Sequence, residues 1–322
     1  MTAEVTRANR LTPDQLAAVL ALAHAAEESD GSPPLSEQTL LRLRHAGSAG
    51  TAGSDGSAGT AGSDGSAGTA GSAGSDSVHL LVNDGRDGYG HVASDGAAEL
   101  VIAPARRGHG LGRALVDAAL AVSGGTLEVW SHGDHPAAAA LARALGFERT
   151  RVLRRMRRSL AEPLPAAEVP DGVVVRAFVP GRDDEPWLRL NARAFASHPE
   201  QGRLTLDDLH LRMAEPWFDP AGFLLAERAG QLIGFHWTKI HEDGLGEVYV
   251  LGIDPDAQGM RLARPLVVAG LSWLGSVGVD TVMLYVDESN PRAVALYEKL
   301  GFTPWTSDVT YRRTASAAAG AA

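Results

Sequence analysis

The chain has 322 residues, 44% hydrophobic, with 37 glycines, no cysteine and a formal net charge of −10. That length suits two domains of ordinary size, and the missing cysteines exclude disulfides and thiolate metal sites and fit a reducing cytoplasm. The acidic balance argues against a general nucleic-acid binder. The opening MTAEVTRANRLTPDQ has no signal-peptide core, and no apolar run is long enough to cross a bilayer. A cytoplasmic monomer with neither nucleic-acid nor membrane partners is the expectation.

In chain order, Thr12-Pro13-Asp14-Gln15 reads as a capping box opening a helix, and LSEQTLLRLRH as a second, short one. SAGTAGSDG then repeats from Ser48, inside a Gly/Ser/Ala-rich stretch at 46–77. With no large side chain to bury, that stretch is expected to be a disordered insertion without chemistry. VHLLVN, YGHVAS and AAELVIA read as strands separated by Gly- and Asp-rich turns. The turn ARRGHGLG leads into the helix RALVDAALAV, TLEVWS is another strand, and HPAAAALARALGF another helix. The basic run RVLRRMRRSL is expected to be a solvated edge strand or interdomain surface in preference to a phosphate site.

The second half follows the same order. VVVRAF is a strand, EPWLRLNARAF and LTLDDLHLRMA are helices, and FLLAER, QLIGFHWTKI and EVYVLGI are strands. DPDAQGMRLAR leads into the helix PLVVAGLSWL, and TVMLYVD precedes the helix of NPRAVALYEKLGF. HPAAAALARALGF and NPRAVALYEKLGF are offset by 155 positions, and the two loop-to-helix turns, at Arg107 and Gln258, by 151. A near-constant offset means duplication: two copies of one α+β (α/β) unit. The expected organisation is 1–158 for the first copy, a linker at 159–172 and 173–322 for the second.

Each copy places a strand before a helix N-terminus, whose free N–H groups and positive dipole end suit a pyrophosphate. The pattern R/Q-x-x-G-x-G/A is met by Arg107-Gly108-His109-Gly110-Leu111-Gly112, followed by Arg113. The second copy reads Gln258-Gly259-Met260-Arg261-Leu262-Ala263-Arg264, with Arg261 where the pattern has Gly. With the strand and the Leu-Gly-Phe helix that follow, this resembles the GNAT acyltransferases. The resemblance implies two tandem domains, each a mixed, mostly antiparallel sheet flanked by helices, binding acetyl-CoA. Its pantetheine arm would lie along the exposed edges Leu100-Val101-Ile102 and Leu251-Gly252-Ile253, with Asn290-Pro291-Arg292-Ala293-Val294-Ala295 adding contacts in the second copy.

HPEQGRLTLDDL, AEPWFDP, GFHWTK, GEVYVLGIDPDAQ and LYVD narrow the match: the chain resembles the mycothiol synthase (mycothiol acetyltransferase) family. That resemblance implies acetylation of the cysteine amine of cysteinyl-glucosaminyl-inositol, with Glu247 as base and Tyr297 as acid. It also implies Glu37, Glu200, Lys239, Glu247 and Tyr285 around the substrate. The first copy has Ala142 where Tyr297 stands, so it is expected not to catalyse, while its intact glycine loop could still hold acetyl-CoA. Another amine acceptor, such as an aminoglycoside or a protein N-terminus, and a silent acetyl-CoA-binding protein are the alternatives. No histidine falls at a metal-ligand spacing, so His198, His210, His236 and His241 read as structural or surface residues, and no metal is expected.

Overall fold

The computed structural model describes residues 4–48, 77–196 and 201–314. Of the stretch at 46–77 expected to be disordered, 49–76 falls outside these residues, while 46–48 end a helix. The chain divides into two compact units, one made of residues up to Val152 together with those from Ser307 on, the other of Leu153–Thr306.

In the first unit, α1 (Pro13–Asp30) opens with the capping box: Thr12 caps Gln15 N, and the Gln15 side chain returns to Thr12 N at 3.1 Å. Gly31 closes α1 in the left-handed region, φ +68°, where a side chain would be strained. After α2 (Glu37–Ser48), β2 (Val78–Val82) pairs antiparallel with β1 (Thr6–Ala8) and with β3 (Gly88–Val92), and β3 with β4 (Ala97–Ile102). β4 runs parallel to β5 (Leu127–Ser131), but their register covers only Ala97–Glu99 against Glu128–Trp130. Leu100-Val101-Ile102 therefore continue with no partner on the β5 side. α1 and α2 pack one face of the sheet through Val19, Leu22, Leu35, Leu43, Leu81, Tyr89 and Val101. α3 (Leu111–Val122) and α4 (Pro136–Ala144) pack the other through Leu111, Leu115, Leu127 and Leu141.

The second unit repeats the plan. β7 (Val173–Ala177), β8 (Phe223–Arg228), β9 (Gln231–Ile240) and β10 (Gly246–Ile253) form an antiparallel run, and β11 (Thr281–Asp287) joins β10 in parallel. That parallel register again stops early, at Val248↔Leu284, and β10 bulges between Val248 and Val250. α5 (Asp184–Ala194) and α6 (Leu206–Met213) lie over Trp187, Phe223, Phe235 and Trp237. α7 (Ala263–Ser276) and α8 (Pro291–Lys299) cover the opposite face with Leu271, Leu274, Val294 and Tyr297.

The unit boundaries fall inside two strands, away from the sequence-drawn limits at 158 and 173. β6 (Glu148–Ser159) has Leu153–Ser159 paired with β11 in the second unit. β12 (Thr303–Arg313) has Val309–Arg313 paired with β5 in the first. Each unit thus draws a strand from chain that sequence order assigns to the other half. The basic run is no solvated edge: Arg155 and Arg158 are buried at 6% and 4% exposure. Arg155 lies over the rings of Tyr285 and Trp305, and Arg158 donates to the carbonyls of Leu300 and Glu162. Strand pairing on one side and stacking on the other shelter the guanidinium stems.

Candidate active site

β10 is the spine of the site in the second unit. Side chains alternate along a strand, so Val248 enters the core with Leu284 and Tyr297, while its neighbour Glu247 points to the α5–α6 side. Glu247 is opposite Lys239 on β9 and Met283 on β11, and Tyr285 lies two residues further along β11. Glu247 is only 5% exposed, and its Oε2 lies 2.8 Å from Nε2 of His241. Lys239 Nζ sits 4.8 Å above the Trp217 ring and 5.5 Å from that of Tyr249, so two aromatic faces hold the cation. Tyr249, the bulge residue, is in turn anchored by Arg212 Nε donating to its hydroxyl at 2.8 Å.

Tyr297 stands on α8, whose first turn is capped by the Asn290 carboxamide oxygen accepting from Ala293 N. Its ring meets Phe302 edge-on at 5.8 Å, and burial pushes its hydroxyl well above the usual tyrosine range. It is therefore a proton-bearing phenol at any physiological pH. Glu247 and Tyr297 belong to opposite faces of one sheet, whose β10–β11 ladder ends at Val248↔Leu284, one residue beyond Glu247.

The loops ahead of α3 and α7 share one backbone. Gly108 and Gly259 have φ +77° and +88°, and Gly110 and Arg261 have +81° and +59°. Arg261 thus keeps the left-handed turn that its glycine counterpart makes, at a strain of roughly 1 kcal/mol. A Cβ built on Gly108, Gly110 or Gly259 would meet nothing within 4 Å, so these positions face open space. α3 and α7, like α5, have no side-chain cap, whereas α1, α4, α6 and α8 do. Their first N–H groups remain available to an anion.

Each loop is also tied to the end of the unit's first helix, with the partners exchanged. Arg107, on the first loop, forks Asp30 with both contacts at 2.7 Å, and its hydrogen bonds hold the Asp30 carboxyl below its ordinary range. Arg193, on α5, forks Asp254 before the second loop at 2.9 and 2.8 Å and reaches Asp256 at 2.7 Å.

Of the other residues the sequence pointed to, His109, Arg113, Gln258, Arg264, Pro291 and Arg292 are exposed, Leu100, Ile102, Leu251, Ile253, Gly112, Met260, Ala263, Ala293 and Ala295 half-buried. Val101, Leu111, Leu262 and Val294 turn their side chains into core clusters, which leaves only backbone for a ligand. Glu37 is half-buried at the head of α2 in the first unit. Glu200 and His198 lie outside the described residues. In the first unit Ala97, opposite Glu128 as Glu247 is opposite Met283, holds the register place of Glu247, and Ala142 the helix place of Tyr297.

Sequence reasoning missed His241, whose bond to Glu247 is made by the β9–β10 hairpin. It also missed a buried cluster in the first unit. Gly133 N donates to Asp308 Oδ1 at 2.8 Å, His132 Nδ1 lies 3.1 Å from Asp308, and His132 Nε2 lies 3.5 Å from Glu99. Burial alone would lower the His132 pKa, but the bond to Asp308 and the two carboxylate charges outweigh it and raise it to about 9. Spacing gives no hint of a contact between positions 132 and 308.

Residues 187–302 match the Acetyltransferase (GNAT) family. Two solved structures share the fold. One is a tandem GNAT protein from the clavulanic acid biosynthesis pathway, with a TM-score of 0.65 at 20% identity over 97% of this chain and 99% of that one. The other is a GCN5-related N-acetyltransferase from Sphaerobacter thermophilus, at 0.64 and 23% over 96% and 95%. Architecture and matched region together are those of a GNAT acyltransferase. Mycothiol acetyltransferases of Thermobispora bispora and Streptomyces coelicolor are 52% and 50% identical, across 94% of this chain and 98% and 93% of theirs. The chain belongs to the mycothiol acetyltransferase family.

Proposed function

We propose that the second unit transfers acetyl from acetyl-CoA to the cysteine amine of cysteinyl-glucosaminyl-inositol, the closing step of mycothiol synthesis in the cytoplasm. The observation that carries this reading is Glu247 and the phenol of Tyr297 set on either face of a sheet whose β10–β11 ladder ends beside Glu247. The unpaired edge Leu251-Gly252-Ile253 offers backbone groups to a pantetheine arm, and the uncapped start of α7, Gln258 to Arg264, suits its pyrophosphate. Asn290 to Ala295 would complete the cofactor contacts.

In this reading Glu247 accepts a proton from the amine as nitrogen attacks the thioester carbon, and Tyr297 protonates the departing CoA sulfur. Glu37, Glu200, Lys239 and Tyr285 would receive the hydroxyl-rich acceptor, to which carboxylates, ammonium and phenol are fitting partners. The first unit keeps the glycine loop from Gly108 to Arg113 and the edge Leu100–Ile102 but has alanine in both catalytic places, so it would bind acetyl-CoA without turnover.

The test is mass-spectrometric detection of acetylated product with Glu247→Gln and Tyr297→Phe alongside the unaltered protein. Each variant should lose roughly 10²-fold or more in kcat. Full activity in either would remove that residue from its role, and no product from the unaltered protein would send the acceptor assignment back to other amines.

A further inference from the structure

A buried carboxylate that takes a proton in every turnover must also discharge it. Glu247 is 5% exposed, and its Oε2 contacts His241 Nε2 at 2.8 Å, while 30% of the His241 side chain reaches solvent. The histidine is held there by its turn: His241 N donates to Leu245 O at 2.9 Å and Gly244 N to His241 O at 2.9 Å. Asp243 Oδ1 accepts from Leu245 N at 3.1 Å, and Gly244 supplies the φ of +83° that the tight return requires. One hairpin thus fixes both partners, the histidine at the end of β9 and the glutamate at the second residue of β10.

We propose that His241 is the outlet for the proton collected by Glu247, a positioning and relay residue acting through that carboxylate. The proposal rests on the reading of Glu247 as the base. In one turnover the ammonium group loses two protons as the C–N bond forms and the C–S bond breaks; one makes good the proton that Tyr297 gives to the CoA sulfur, and the other must reach water. Glu247 takes that second proton and passes it to Nε2. The imidazolium releases Nδ1–H to solvent, and the ring regains its starting tautomer by exchange with water through its exposed edge. Lys239, two residues back on β9 and opposite Glu247 in register, keeps a positive charge beside the pair, which favours the outward movement of a proton.

The experiment compares His241→Ala, His241→Gln and Glu247→Gln with saturating acetyl-CoA and acceptor. Losing the relay should lower kcat in His241→Ala by about tenfold or more, with both KM values within about twofold. Added imidazole should restore several-fold of that loss. Glutamine can keep a hydrogen bond to the carboxylate but cannot carry a proton through, so His241→Gln should be as slow as His241→Ala. Wild-type kcat in His241→Gln would overturn the relay, leaving a residue that only holds Glu247 in place; so would His241→Ala unmoved or unresponsive to imidazole. If instead Glu247→Gln turns over normally, it is the base assignment that falls, a result separable from the histidine variants.

Discussion

Arg261 is a residue whose type argues against its place and whose conformation argues for it. The family pattern has glycine there because the turn needs a positive φ, and the structure shows an arginine making the turn at +59°. The strain of roughly 1 kcal/mol is about what glycine would lose in unfolded-chain entropy, so Arg261→Gly should leave the melting temperature nearly unchanged. The exposed cation beside the start of α7 should assist a bound pyrophosphate, and its removal should raise the Kd of the second unit for acetyl-CoA by about fivefold, or ~1 kcal/mol. Isothermal titration with acetyl-CoA measures this directly. An unchanged affinity would mean that Arg261 contributes only a permitted backbone. The sequence exposed this departure but not its resolution, since φ depends on the loop closing around Ala257 and Leu262, both buried.

At the scale of elements, the site is kept in shape by β9 and α7 packing through one glycine. A Cβ on Gly270 would lie 2.2 Å from both Cε1 and Nδ1 of His236, a fully buried ring whose Nδ1 is bonded to Leu266 O at 2.8 Å. Burial lowers the His236 pKa to about 4, so the ring is neutral and its Nδ1–H donates to that carbonyl. Neither the ring nor the helix can yield without breaking this bond. Gly270→Ala should therefore cost about 2–3 kcal/mol, from overpacking together with a strained buried hydrogen bond. Urea unfolding followed by tryptophan fluorescence would read it, and a loss below about 0.5 kcal/mol would show that α7 slides freely over β9. The strands and helices were legible from their alternation and their caps. The early end of the β4–β5 and β10–β11 registers was not, because it depends on twist and on the bulge at Tyr249, neither of which leaves a mark in residue type.

For the molecule as a whole, each unit depends on a strand from distant chain. In the first unit Asp308 of β12 locks to His132 and Gly133 after β5, and Glu99, held by Ser36 N at 2.9 Å, closes the other side of the histidine. A histidine whose folded pKa of about 9 lies above its ordinary 6.5 stabilises the fold fully below about pH 6.5, and that contribution is lost as pH rises towards 9. Urea midpoints should thus fall between pH 6.5 and 9, and fall less in Asp308→Asn, where the histidine has lost its nearest anion. Parallel midpoints for the two proteins would show that the cluster is not protonated as described.

By itself the sequence determined the doubling, the two glycine-loop helices and the asymmetry that gives Tyr297 to one copy and Ala142 to the other. Repeated spacing and residue type carry such information, because both are local. Only the tertiary structure decided which strand completes which unit, that Arg155 and Arg158 of β6 are buried, and that His241 meets Glu247 while His132 lies between Glu99 and Asp308. Those are contacts between residues that pattern does not connect: a hairpin closure in one case, and in the others strands paired across much of the chain.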